Sequence, residues 1–194
     1  MDWNDANLIK VLKEGGVAVM PTDTIYGIVG QALNKDVVLR IYNLKKRAPE
    51  KPCIILIGDI SELEKLSIYL SLEQKEKLKG YWQISAMADI CQERATSVVL
   101  DCEDEELLYL HRGTKTLAIR LPVSPSLRKL LLETGPLIAP SANPEGLPPA
   151  QNISQAKTYF SDSVNMYMNG GEIAGKPSKL IKLHKDGQID ILRD

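Results

Sequence analysis

Residues 44–57 read Leu44-Lys45-Lys46-Arg47-Ala48-Pro49-Glu50-Lys51-Pro52-Cys53-Ile54-Ile55-Leu56-Ile57. The last five residues are a continuous apolar run of strand length, the pattern of a strand covered on both faces. Upstream, Val37, Val38, Ile41 and Leu44 recur at helical spacing after a cap at Asn34 or Asp36, so a helix delivers the chain into the basic connection. A helix, a charged proline-stiffened turn and a central strand in succession set an α/β architecture. Lys45, Lys46, Arg47 and Lys51 repel one another, which is tolerable facing water and useful facing an anion. Cations at the end of a helix also complement its macrodipole, and that alone accounts for Lys45 and Lys46.

On the N-terminal side, Asn4 or Asp5 caps a helix carrying Leu8, Ile9, Val11 and Leu12, and Gly15-Gly16 ends it. The strand Val17–Met20 follows and runs into Pro21-Thr22-Asp23-Thr24-Ile25-Tyr26-Gly27, whose hydroxyls and carboxylate crowd a buried strand end and need a partner. On the C-terminal side, Ser61-x-x-Glu64 and Ser71-x-x-Gln74 have capping-box spacing and predict two short helices closed by Gly80. Thr96–Asp101 and Leu117–Leu121 read as strands joined by a solvated acidic turn. Arg120 interrupts the second of these, so its guanidinium requires solvent, through a half-exposed face, or an anionic partner. A helix from Ser124 or Ser126 to Gly135 leads to a strand over 136–139. Then comes Pro140-Ser141-Ala142-Asn143-Pro144-Glu145-Gly146-Leu147-Pro148-Pro149, where prolines fix the backbone around one serine and one asparagine. A helix over 154–160, an alternating strand over 164–168 and a hairpin turning at Asp186-Gly187 complete the chain.

The 194 residues suffice for one domain, 1–194. A net charge of -1 supplies no global basic field for nucleic acid, so RNA contact would be local. Cys53, Cys91 and Cys102 are odd in number and lack Cys-x-x-Cys spacing, which argues for reduced thiols. With no secretory leader pattern and no apolar run of about 18 residues, the expectation is a cytoplasmic protein without membrane contact.

The chain lacks the phosphate-loop, dinucleotide-binding, zinc-helix and nucleophile-elbow patterns. Its two histidines, His111 and His184, lie far in sequence from any candidate nucleophile and are expected at the surface. What remains is electrostatic: Lys45, Arg47, Lys51 and Arg120, with Thr22, Thr24, Ser141 and Asn143, make a cradle for a polyanion. Phosphoryl or nucleotidyl transfer needs little beyond positioning and charge neutralisation.

Pro21-Thr22-Asp23-Thr24-Ile25-Tyr26-Gly27, Lys45-x-Arg47 with Lys51-Pro52, Ala118-Ile119-Arg120-Leu121-Pro122 and Pro140-Ser141-Ala142-Asn143-x-x-Gly146 closely resemble, in order, the YrdC family of threonylcarbamoyl-adenylate synthases. That resemblance implies a single open, twisted mixed sheet flanked by helices, with a concave, positively charged cavity. It implies condensation of L-threonine, bicarbonate and ATP to threonylcarbamoyl-adenylate and pyrophosphate, with Mg2+ held by the phosphates rather than by protein side chains. It also implies hand-over of the product to a tRNA threonylcarbamoyl transferase machinery, with weak tRNA binding. By resemblance, Lys45, Arg47, Ser141 and Asn143 are the catalytic set, and Thr24, Tyr26 and Arg120 surround threonine. Lys45, Arg47, Lys51, Ser141, Asn143, Ser178 and Arg193 hold ATP.

Two stretches depart from the family pattern. Residues 83–95 stand where a proline-glycine turn is usual after Trp82, and Lys179 follows Pro177-Ser178 where the family has threonine. The first departure puts the threonine pocket in question and keeps open a non-catalytic RNA-binding or ribosome-associated module. The end at Asp194 matches the family's short form. A carbamoyl-adenylate enzyme of the hydrogenase-maturation kind is a third, more distant reading.

Overall fold

The computed structural model describes residues 3–82 and 95–194. Asp5 caps α1 (Ala6–Lys13) by accepting from the amides of Asn7 and Leu8, and Gly15, at φ +78°, turns the chain into β1 (Ala18–Pro21). A tight turn at 22–25 returns it as the antiparallel β2 (Tyr26–Gln31). That strand is absent from the sequence reading, which leaves residues 28–31 unassigned. Asn34 caps α2 (Lys35–Lys45), whose helix ends at Lys46 in the left-handed region. β3 (Ile54–Leu56) is the predicted central strand.

Of the two predicted capping boxes, one forms. Ser71 and Gln74 exchange backbone-to-side-chain bonds, each of 3.0 Å, at the start of α3 (Leu72–Trp82). The other segment, Ile60–Leu66, is a 3-10 helix capped by Asp59 instead of Ser61. Gly80 does not close α3; the helix continues to bury Trp82, whose indole donates to Thr96 O at 3.2 Å. β4 (Thr96–Asp101), α4 (Leu108–His111), β5 (Thr116–Arg120), α5 (Pro125–Thr134), β6 (Leu137–Ile138), α6 (Ile153–Phe160), β7 (Met166–Tyr167), β8 (Lys179–Leu183) and β9 (Ile189–Arg193) follow. The acidic turn after β4 is structured: Asp104 caps a 3-10 segment and binds the Ser67 hydroxyl.

The strands form one sheet in the order β7-β1-β2-β6-β3-β5-β4-β8-β9, with parallel and antiparallel pairs mixed, as the expected α/β fold requires. Alternation along each strand separates two cores. Val17, Val19, Ile28, Ile55 and Ile119 face α2 and α3, whereas Ala18, Met20, Val29, Leu56 and Leu137 face α1 and α5. His111, expected at the surface, is fully buried because its Nε2 meets Asp104 O at 3.2 Å while Nδ1 accepts from the Gly113 amide at 3.1 Å. His184 is part-exposed and pairs with Asp190 at 2.8 Å. Cys53 and Cys102 are free and buried; Cys91 and residues 83–94 of the departing segment lie outside the described residues. No described helix is long and apolar enough to cross a membrane.

Candidate functional site

Strand registers put Ile54, Ala118, Arg120 and Leu180 on the sheet face against which α1 and α5 pack. Where those helices leave this face uncovered, a cavity of about 240 Å³ opens. The turn after β1 contributes Thr22 and Thr24, the basic connection Arg47, β5 Arg120, the proline-stiffened loop Ser141, and the C-terminal hairpin Ser178 and Arg193. The charged side chains in its described wall are these three arginines. Segments far apart in the chain converge because each leaves a neighbouring strand of one sheet.

Each arginine is fixed differently. Arg47 donates from Nε to Lys51 O at 2.9 Å and from Nη2 to Pro52 O at 3.0 Å, so its fork is anchored by neutral carbonyls. Arg193 donates from Nε and Nη2 to Ser178 O at 3.1 and 2.8 Å. Arg120 is neither solvated nor half-exposed, as its strand context left open. Its Nη2 donates to Asp23 Oδ1 at 2.9 Å and its side chain is 4% exposed. Burial pushes the Arg120 pKa down and Asp23 opposes this; the guanidinium stays charged. Thr22 Oγ1 accepts from the Thr24 amide and donates to Ile25 O at 2.7 Å, fixing the turn that carries Asp23.

Three other candidates sit behind the wall. Lys45 is 1% exposed and its ammonium donates to Ser141 O and, at 2.6 Å, to Asn143 O. It therefore anchors the Ser141–Asn143 loop from beneath, where resemblance placed a point charge on a triphosphate. Asn143 is turned inward too, donating to Pro144 O and Leu147 O at 3.0 and 2.6 Å. Tyr26 is fully buried and does not line the cavity; its hydroxyl donates to Gly171 O and accepts from the Gly170 amide, both at 2.8 Å. Lys51 is more than half exposed and pairs with Glu145 outside the cavity wall. Lys46, just past the end of α2, is exposed as well.

Ser141, by contrast, offers the cavity a hydroxyl without a hydrogen-bond partner among the described residues. Ser178 is buried against Ser97, with 2.8 Å between their hydroxyl oxygens. Burial raises the Cys53 thiol, so it lines the cavity as a neutral group.

Sequence reasoning saw that Asp23 needed a partner without finding Arg120, and it missed Glu145. Glu145 Oε2 accepts from the Ala48 amide at 2.6 Å, its Oε1 takes Lys51, and its own amide donates to Lys45 O at 2.7 Å. The two loops are thus stapled together. Its signal was a lone carboxylate in a proline-rich loop opposite a basic one.

The fold and its cavity define a mixed α/β domain with an arginine- and hydroxyl-lined pocket on one sheet face. The chain belongs to the Sua5–YciO–YrdC family, whose model, described as "Telomere recombination", matches residues 10–194. A Bacillus subtilis relative named threonylcarbamoyl-AMP synthase is 35% identical over 86% of this chain, which spans 46% of that protein. A Pseudomonas aeruginosa relative of the same name is 31% identical over 93% of this chain and 92% of its own length. The structure of P. abyssi Sua5 complexed with L-threonine superposes with a TM-score of 0.75 at 28% identity, covering 90% of this chain and 49% of that one. The chain thus spans about half the length of the Bacillus relative and of the threonine-bound structure.

Proposed function

We propose that this chain is a threonylcarbamoyl-AMP synthase, making threonylcarbamoyl-adenylate from L-threonine, bicarbonate and ATP for a tRNA-modifying partner. The observation that carries the reading is the convergence of Thr24, Arg47, Arg120, Ser141, Ser178 and Arg193 on one cavity, in a family whose relatives bear that name. Likeness to a Sua5 complexed with L-threonine supports threonine as the amino acid.

The chemistry asks little of the protein beyond alignment. The threonine amine attacks the bicarbonate carbon and water leaves, giving a carbamate. A carbamate oxygen then attacks the α-phosphorus, forming the new O–P bond as the bond to the β-phosphate oxygen breaks and pyrophosphate departs. Arg47 and Arg193 meet phosphate oxygens, Ser141 and Ser178 donate hydroxyl bonds, and Thr24 and Arg120 hold threonine. Arginines and hydroxyls fit phosphate oxygens rather than a divalent cation, so magnesium would arrive on the nucleotide and neutralise the departing pyrophosphate. Lys45 and Asn143 act by fixing the Ser141 loop.

Pyrophosphate release from ATP, with bicarbonate and magnesium, tests this. Release that requires L-threonine is expected; release indifferent to threonine, or none, overturns it. No release together with tight, salt-sensitive tRNA binding would mark a non-catalytic RNA-binding module instead.

A further inference from the structure

The cavity of the proposed synthase has to accept two kinds of anion. One is a polyphosphate carrying several negative charges; the other is an amino acid whose carboxylate is balanced by its own ammonium group. Its arginines are not equivalent toward them. Arg47 is held by two neutral carbonyl oxygens and forms no ion pair among the described residues, the Glu145 carboxylate acting on it only from a distance. Arg120 is bound to Asp23 at 2.9 Å, with side chains 4% and 7% exposed, so that end presents a pair of nearly zero net charge.

We propose that Asp23 is a specificity-determining positioning residue, tuning the Arg120 end of the cavity to the carboxylate of a net-neutral amino acid and against free phosphates. Asp23 does not line the cavity; it acts through Arg120. A phosphate dianion at Arg120 meets the Asp23 carboxylate a few ångströms behind the guanidinium, and in this buried setting that repulsion is little screened. A zwitterion brings an ammonium group that offsets the same repulsion. The pair is also incompletely satisfied. Among the described residues, buried Asp23 Oδ2 and Arg120 Nε have no hydrogen-bond partner, which a bridge serving stability alone would be expected to avoid. Arg128 of α5 also acts on Asp23, but its guanidinium is tied to Pro122 O and Trp82 O and stays out of the cavity wall; Arg193, which is in the wall, acts on Arg120.

This inference rests on the proposed function, and calorimetry separates the two. The full chain is titrated with L-threonine, with and without inorganic phosphate, and compared with D23N, which keeps an acceptor for Arg120 but deletes the charge. In the unsubstituted protein phosphate leaves the threonine Kd nearly unchanged. In D23N phosphate competes with threonine, raising its apparent Kd by at least about tenfold at a concentration harmless to the unsubstituted protein. A merely structural loss would weaken both ligands together. An unchanged preference in folded D23N overturns the inference, whereas an unsubstituted protein that binds no threonine overturns the proposed function. If D23N does not fold, the double variant D23N/R120M, which removes the whole pair, is read instead: threonine binding should be lost, and its retention overturns the assignment.

Discussion

The ammonium of Lys45 donates to the backbone carbonyl of Asn143 at 2.6 Å, so a residue with the sequence context of an exposed helix-end cation is a buried post under a loop. Its neighbour Ser141 meets the same ammonium through its carbonyl and turns its hydroxyl face to the cavity. The arrangement makes the loop's position depend on a lysine outside the cavity wall.

Burial lowers the Lys45 pKa from an ordinary 10.5 to about 8. The unfolded chain therefore binds one more proton than the folded chain between about pH 8 and 10.5. Lys45's contribution to stability is least favourable below pH 8 and rises with pH across that window, by roughly 3 kcal/mol. The difference in unfolding free energy between the unsubstituted protein and Lys45→Met, followed by urea denaturation, isolates this group from other titrations. A difference that is flat or falls from pH 8 to 10 contradicts it.

Arg47 is anchored by Lys51 O and Pro52 O, and only a planar fork can hold those carbonyls and still face a phosphate. Arg47→Ala is expected to lower threonine-dependent pyrophosphate release by about 10²–10³-fold, the range for losing one preorganised donor to developing charge. Arg47→Lys should recover little of it, because an ammonium cannot reproduce the fork. A rate within a factor of about two of the unsubstituted protein would remove Arg47 from the site.

How far these features were legible in the sequence differs by kind. Caps at Asp5, Asn34 and Ser124 were legible because they rest on contacts within three residues. So was the central strand, since a five-residue apolar run has few alternatives. The Asp23–Arg120 pair was half legible twice over: a carboxylate at a buried strand end needed a partner, and so did an arginine inside an apolar strand. Nothing local joins residues that are 97 apart in sequence; only the sheet order, with β1 and β5 separated by three strands, brings them together. Lys45 and His111 misled for another reason. Both are satisfied by backbone groups, and every sequence carries those at every position. Tyr26 belongs with them, since its hydroxyl is engaged by the backbone of Gly170 and Gly171.

Glu145 links the basic connection to the Ser141 loop through the Ala48 amide and Lys51. The Lys51 contact, then the Ala48 amide, holds its carboxyl below the usual carboxylate range. The sign is that of a depressed acid: its contribution is present above the unfolded value near 4.3 and is lost as pH falls through the lower folded value. Glu145→Gln keeps an acceptor for Ala48 but releases Lys51. If the staple positions Arg47 against Ser141, KM for ATP should rise about tenfold or more with a smaller change in KM for threonine. Equal changes in both would point to a general loosening of the fold.

Gly175 lies against the turn after β1. A Cβ placed there would stand 1.9 Å from Thr24 O, a backbone atom that cannot swing aside as a side-chain end could. No positive φ is involved, so the demand for glycine is one of space alone. Gly175→Ala must therefore push the 172–178 segment, which carries Ser178, away from Thr24, or shift the Thr22–Thr24 turn that positions Asp23. The turn is met directly at Thr24, so KM for threonine is expected to rise by about ten- to a hundredfold, as an ångström-scale misplacement predicts. A shift of Ser178 also loosens Arg193, which its carbonyl holds, so KM for ATP should rise as well. Because the segment borders solvent at Gly171, Glu172 and Lys176, the thermal midpoint should fall by only a few degrees. A Gly175→Ala protein with an unchanged KM for threonine would show that this approach of two backbones has no part in shaping the site.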